Sequence, residues 1–165
     1  TECTVREIAS GDIVCTLNST SFCRADGGFG GPDGPVTTPH QLPDAPPQHV
    51  CDLPTLPQAA LIYRLSGDAN PLHADPAYAR KAGFKMPILH GRCTFSIAGH
   101  AILKTLCGYD PARLTSMEGR FSAPVYPGET IRTEMWRDGS VVSFRSTVPA
   151  RGVTVLNNGR AEIVP

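Results

Sequence analysis

Tyr63-Arg64-Leu65-Ser66-Gly67-Asp68-Ala69-Asn70-Pro71-Leu72-His73 sets a carboxylate, an amide and an imidazole within six residues of one another. The segment cannot be one continuous helix. Gly67 is conformationally permissive, and the ring of Pro71 keeps Asn70 out of the α region. Asp68 and His73 therefore fall on an irregular loop whose turns can aim both side chains at one point. An Asp beside a His is a common way to build a general base near neutral pH, because the carboxylate holds the imidazole in one tautomer. Gly-Asp and Asn-Pro turns also occur in plain connections, so the chemistry rests on what surrounds them.

Working outward, the pattern from Gln58 is helical, with Ala59, Leu61, Ile62 and Leu65 on one side. Beyond His73 the spacing predicts a short helix over Pro76–Lys81, with Asp75 as its N-cap and Pro76 at the first helical position. The apolar series Cys93, Phe95, Ile97, Ala98, Ala101, Ile102 and Leu106 fits a mostly buried helix of about 15 residues. After Gly108 the chain changes character. Segments around 114–122, 130–137, 141–148 and 153–164 are β-rich and separated by turn residues, including Asp138-Gly139, a strong hairpin signal. One long buried helix followed by a run of antiparallel strands is an α+β pattern.

Upstream, Cys3–Ile8, the turn Ser10-Gly11-Asp12 and Ile13–Leu17 read as a β-hairpin, with a third β-rich piece near Ser21-Phe22-Cys23. The run Gly27-Gly28-Phe29-Gly30-Gly31-Pro32-Asp33-Gly34-Pro35 lacks the Lys-Ser/Thr and the following helix of a phosphate loop, and reads as linker. Pro-rich sequence continues to Pro57. The expected organisation is thus residues 1–24 as strands, 25–57 as a Gly/Pro-rich linker with little structure of its own, and 58–165 as the main domain.

The chain has 165 residues, enough for one full core, and zero formal net charge. Nothing suggests a nucleic-acid face, which would need a basic stripe. No apolar run reaches the length of a membrane span, and no charged-then-apolar leader is visible. The six cysteines are scattered without a C-x-x-C pair, so neither a zinc site nor a disulfide framework is expected. These features suggest a soluble intracellular protein. The expected compartment is the cytoplasm, with the peroxisome as the alternative in a eukaryote, although this chain carries no C-terminal peroxisomal signal.

Tyr63 to His73, the helix from Asp75 to Gly83, and Pro87-Ile88-Leu89-His90-Gly91 together resemble the hydratase-2 motif of the MaoC-like hot-dog family, the (R)-specific enoyl-CoA hydratases. Arg120-Phe121-Ser122-Ala123-Pro124-Val125-Tyr126-Pro127-Gly128-Glu129-Thr130 is similar to the same family's strand-and-turn signature. The resemblance covers residues 51 to 165, with a weaker match before them. It implies a hot-dog fold, an antiparallel sheet wrapped around the long helix. Some family members carry two such repeats. The opening strands look like the end of a first repeat, and residues 24–31 like the junction that follows it, with that repeat's helix missing here.

Hydration of an α,β-unsaturated thioester needs a water deprotonated as it attacks Cβ, a proton for Cα, and a stabilised enolate oxygen. Asp68 and His73 are the candidates for the first two tasks, and the resemblance implies the same assignment. Asn70 either orients the water or Asp68, or simply makes an Asx-type turn before Pro71. Gly91 opens the long helix, where unpaired N–H groups and the dipole favour a developing anion, and its missing Cβ lets an oxygen approach closely. The resemblance implies the same role for the N–H of Gly91. Its other reading is relief of crowding at the helix start.

His90 reads as a capping or packing histidine, and His100 as a helix residue. Arg92 and Ser96 stand where the family more usually has an apolar residue and a glycine. Arg92, Arg120 and Lys85 are cationic candidates for the coenzyme A phosphates, with solvated surface charge as their other reading. Ser66 and Cys93 have no dedicated His partner, so no nucleophile stands out. The implied activity is reversible conversion of trans-2-enoyl-CoA and water to (3R)-hydroxyacyl-CoA, in a homo-oligomer, with no metal or organic cofactor. A thioesterase on the same fold would need an acid on the central helix, yet 91–106 contains no Asp or Glu. An acyl-CoA-binding or assembly module is the non-enzymatic alternative.

Overall fold

The computed structural model describes residues 2–18, 26–31, 34 and 38–164. The chain divides into two units, residues 1–37 and 38–165. In the first, β1 (Glu2–Arg6) and β2 (Ile13–Asn18) pair antiparallel, from Glu2 opposite Asn18 to Arg6 opposite Ile13. Gly11 turns between them with φ +76°, the left-handed region that glycine enters without steric cost. The expected third strand near Ser21-Phe22-Cys23 lies outside the described residues.

The second unit is a five-stranded antiparallel sheet and one long helix. The strands are β3 (His49–Pro54), β4 (Leu114–Phe121), β5 (Thr130–Asp138), β6 (Val141–Val148) and β7 (Val153–Ile163), in the order β3-β5-β6-β7-β4. The helices are α1 (Ala59–Tyr63), α2 (Pro76–Lys81) and α3 (Gly91–Leu106). Five strands are roughly 19 Å across at about 4.8 Å spacing, wider than the ~10 Å helix. Even so, α3 comes close to both outer strands, β3 and β4, and to β5. The sheet therefore curves around the helix, the wrapped α+β arrangement expected from the sequence.

Two apolar clusters hold this together. In the first, Ala98, Ala101 and Ile102 of α3 meet Met135, Phe144, Leu156 and Ile163 of the sheet. The small residues on the helix let the sheet approach, and each large side chain buried contributes about 1.5–3 kcal/mol. In the second, Ala60, Leu89, Val125, Ile131, Val148 and Val155 pack under the segment leading into α3. Leu89 N–H donates to Val125 O at 2.7 Å, tying that segment to the turn before β5.

Several expectations hold closely. Asp75 caps α2 by accepting from the N–H of Ala77 and of Tyr78, with Pro76 at the first helical position. The four C-terminal strands lie where the alternation places them. In the β5–β6 hairpin Asp138 is the last paired residue, opposite Val141, so the two-residue turn is Gly139-Ser140, with Gly139 at φ +59°.

Two expectations are corrected. Residues 25–57 are not all linker, because 49–54 form the edge strand β3, with Cys51 opposite Thr133 and Leu53 opposite Ile131. Proline density obscured a strand that can tolerate Pro54 because it lies at a sheet edge and Pro54 is its last residue. The stretch before β3 is anchored by side chains of the sheet. Trp136 Nε1 donates to Ala45 O, Asn158 Nδ2 donates to His40 O, and His40 Nε2 bonds Ser143 Oγ at 2.7 Å. The second correction concerns 58–66. It is one helical turn (α1) followed by a 3₁₀ turn at Arg64–Ser66, and only Ala60 of it is buried. Leu61, Ile62 and Leu65 are exposed.

Candidate active site

The site is built on the loop between α1 and α2 and on the approach to α3. The 3₁₀ turn at Arg64–Ser66 ends on Gly67 at φ +104°, which reverses the chain and delivers Asp68. A second 3₁₀ turn, Pro71–His73, then swings His73 inward until it is only 8% exposed. Asn70 makes that second turn. Its Oδ1 accepts from Leu72 N–H at 3.0 Å, while Asp68 Oδ1 accepts from Asn70 N–H at 3.3 Å. Of its two expected roles, the Asx turn is the one the geometry shows.

His73 is oriented by the chain just before α3. Its Nδ1–H donates to Ile88 O at 2.8 Å, which leaves Nε2 with its lone pair free to take a proton. A carboxylate oxygen of Asp68, a ring nitrogen of His73 and a ring nitrogen of His90 all lie within 4.8 Å of one another. Asp68 and His73 are thus brought together, as their spacing suggested. The third member is His90, for which the structure supports the packing reading and not the capping one. His90 occupies the N-cap position of α3 but makes no capping bond. It is almost completely buried, its Nε2–H donates to the main-chain oxygen of Asp68 at 3.1 Å, and its ring stacks on His73. Burial holds the His90 imidazole below its ordinary pKa, so it stays neutral at physiological pH.

Among the described residues this trio is also the one group that could hold a metal ion. The His73 and His90 rings within it stack 3.7 Å apart at 25°.

Gly91 is the first residue of α3, so its N–H has no acceptor within the helix. It lies on the wall of a cleft of about 270 Å³, together with Ile88, Thr94, Phe121 and Val125. A Cβ at Gly91 would point at the Phe121 ring, 3.4 Å from Cε1. The cleft wall is drawn from two separate segments, 84–94 and 121–125, and no single-segment pattern could have revealed it. Phe121 is the strongest example, a β4 residue whose ring is half exposed beside the helix start.

The three cationic candidates are exposed and stand outside the Asp68–His73 group, yet each is adjacent in sequence to a member of the cleft wall. Lys85 follows Phe84, Arg92 follows Gly91, and Arg120 precedes Phe121. Lys85 Nζ sits over the Tyr126 ring at 4.4 Å from its centroid. His100 is exposed near Tyr109, far along α3 from the site. Burial pushes the Cys93 thiol above its ordinary pKa, which disfavours a thiolate and agrees with a packing role.

Residues 38–158 match the MaoC like domain. The chain belongs to the MaoC-like family. It is 43% identical over 159 residues to the peroxisomal enoyl-CoA hydratase 2 of Arabidopsis thaliana, covering 91% of this chain and 52% of that protein. It is 43% identical over 167 residues to the probable enoyl-CoA hydratase 2 of Dictyostelium discoideum, covering 99% and 57%. Among solved structures, a MaoC-like dehydratase from Phytophthora capsici superposes with a TM-score of 0.80 at 40% identity, over 86% of this chain and 48% of that one. The wrapped sheet and helix are therefore the hot-dog fold of MaoC-like dehydratases. This MaoC-like chain spans about half the length of the curated relatives it matches.

Proposed function

We propose that this chain is an (R)-specific 2-enoyl-CoA hydratase, adding water reversibly to trans-2-enoyl-CoA to give (3R)-hydroxyacyl-CoA. The observation that carries the reading is the grouping of Asp68 and His73, with His73 Nε2 left as an acceptor and its Nδ1–H tied to Ile88, three residues before the first N–H of α3. The names of its relatives, hydratases and a 3-hydroxyacyl-thioester dehydratase, support the same reading.

In the proposed mechanism the acyl part of the thioester enters the cleft and its carbonyl oxygen meets Gly91 N–H. A water held between Asp68 and His73 attacks Cβ. As its oxygen bonds to carbon, one of its protons passes to the Asp68–His73 pair, and the thioester becomes an enolate stabilised by Gly91 N–H and the positive end of α3. The pair then returns a proton to Cα. The elements of water have been added across the double bond from one face, and the pair is restored. Carboxylate, imidazole and main-chain amide supply each step, so the proposed reaction needs no metal or organic cofactor. Arg92, Arg120 and Lys85 would meet the coenzyme A phosphates outside the cleft mouth.

In the reading proposed here β1 and β2 are the end of a first hot-dog repeat, and the chain works as a homo-oligomer in the cytoplasm or, in a eukaryote, the peroxisome. The deciding experiment is hydration of crotonyl-CoA followed by chiral analysis of the product. Formation of (3R)-hydroxybutyryl-CoA is expected. The (S) product would overturn the stereochemical assignment. Tight acyl-CoA binding with no turnover would favour the binding-module alternative, and release of free coenzyme A would favour a thioesterase.

A further inference from the structure

His90 presents an unusual combination. It is 1% exposed, wedged between Tyr63, whose ring centroid is 4.7 Å away, and His73, at 3.7 Å. Because a carbonyl oxygen can only accept, the 3.1 Å contact to Asp68 O puts the proton on Nε2. Nδ1 is then a lone pair, buried and without a partner among the described residues. An unpaired buried acceptor is destabilising, and a phenylalanine ring would fill the same slot without it. What phenylalanine could not do is donate to Asp68. The one hydrogen bond that the His90 side chain makes among the described residues fixes the main chain of the residue proposed to handle the water's proton. The face it turns the other way fixes the plane of the proposed partner, His73.

Asp68 has need of such support. It follows Gly67 on an exposed loop, and among the described residues its side chain is braced only by Asn70 N–H. His73 has its Nδ1–H bonded to Ile88 O, which fixes one point of the ring but does not prevent rotation about that contact. Stacking on His90 supplies the second constraint. One neutral imidazole thus sets the Asp68–His73 separation through two different contacts.

Resting on the hydratase reading, we propose that His90 is a positioning residue of the reaction, acting through the Asp68 carbonyl and the His73 ring rather than touching substrate. Two variants separate its two contacts. His90→Phe keeps a stacking ring and loses the N–H donor; His90→Gln can place an amide N–H near the Nε2 position and loses the ring. His90→Phe is expected to lower kcat for crotonyl-CoA by about ten- to a hundredfold, the scale of a misplaced catalytic group. Its KM should stay within about twofold, and its melting temperature should not fall, because the orphaned lone pair is gone. His90→Gln is expected to recover a substantial part of kcat.

Turnover at the parent rate in His90→Phe would overturn the proposal, as would a kcat loss matched by a lower melting temperature or a rise in KM instead of a fall in kcat. So would a His90→Gln variant that folds but is no better than His90→Phe. Imidazole ¹⁵N NMR of the unliganded protein tests the geometry independently of activity. The expected spectrum shows His90 as the neutral Nε2–H tautomer and His73 bearing a proton at Nδ1. A His90 carrying its proton on Nδ1 would overturn the positioning bond even in an active enzyme. An inactive parent with the expected tautomers would instead overturn the hydratase reading.

Discussion

His73 Nδ1–H donates a hydrogen bond of 2.8 Å to the carbonyl of Ile88, a residue fifteen positions later and two before the N-cap of α3. The bond couples the loop that carries the proposed acid–base pair to the helix whose first residue lines the cleft. The proposed base and the proposed oxyanion donor are thereby referenced to one segment, 88–91, whose Leu89 is itself bonded to Val125. Precise placement of such groups matters because reaction rates depend steeply on sub-ångström alignment.

Asp68→Asn and His73→Gln should each lower kcat for crotonyl-CoA by more than about a hundredfold, the usual weight of general acid–base catalysis. KM should change much less, since neither side chain need contact coenzyme A. The pair is proposed to act as a unit, so the double variant should be little worse than the poorer single one. Steady-state kinetics on the three proteins checks this. Near-parental turnover in either single variant would remove the pair from the mechanism.

A second expected outcome concerns assembly. Strand β4 is the outer strand of the sheet beyond β7, eight residues long and free of proline, and Glu118, Gly119 and Arg120 along it are exposed. An edge of that length with no strand paired to it among the described residues invites another chain. Sedimentation at micromolar concentration should show a species heavier than one chain, whereas a well-folded monomer would count against the homo-oligomer.

How much of this was legible in the sequence varies with the kind of signal. Asp75 and Pro76 announced α2 because capping is local chemistry, and the alternation of 130–148 placed two strands and their turn. The edge strand β3 was hidden because Pro54 and its proline-rich approach suggest linker. The order in that stretch comes instead from Trp136, Asn158 and Ser143, about ninety to a hundred and twenty residues away. Asp68, His73 and Gly91 are readable as candidates because they fall in contiguous motifs. His90 stands in the same motif, but a bond to a main-chain carbonyl twenty-two residues earlier leaves no trace in spacing. Leu61, Ile62 and Leu65 misled in the opposite sense, since apolar periodicity alone did not bury them.

Glu129 and Arg151 make a pH-dependent contribution to stability. Burial alone would raise the Glu129 carboxyl, but the Arg151 guanidinium and Tyr126 N–H outweigh it and hold its pKa below the ordinary carboxylate range. A carboxyl lowered in the folded state stabilises the protein above its unfolded pKa of about 4.3, and that contribution is lost as pH falls through the lower folded value. The melting temperature should therefore decline below about pH 5. Arg151→Ala should cost about 1.5–3 kcal/mol at neutral pH, the scale of charge-assisted hydrogen bonds, and should flatten the acid limb. The exposed, solvent-screened Asp52–Arg132 pair is the comparison: Arg132→Ala should lower the melting temperature much less than Arg151→Ala. Thermal melts from pH 3 to 8 would show both effects. A steep acid limb persisting in Arg151→Ala would place the titrating group elsewhere.

Gly91→Ala offers the sharpest test of the oxyanion assignment. The new methyl would sit 3.4 and 3.5 Å from two carbons of the Phe121 ring, an ordinary contact, and alanine is the better helix former. The fold should survive. The methyl would nevertheless project into the cleft beside the N–H offered to the thioester oxygen, and crowding the carbonyl away from that donor should cost about 2.7–4 kcal/mol of barrier reduction. The matching control is Gly108→Ala at the other end of α3. Gly108 follows the C-cap Cys107 at φ +60°, so alanine there should lower stability by about 1 kcal/mol and leave turnover alone. Measured together, kcat/KM and melting temperature should move in opposite patterns: activity lost and stability kept for Gly91→Ala, the reverse for Gly108→Ala. If Gly91→Ala hydrates crotonyl-CoA at the parent rate, the thioester oxygen is polarised by some other group and the assignment of α3's first N–H is wrong.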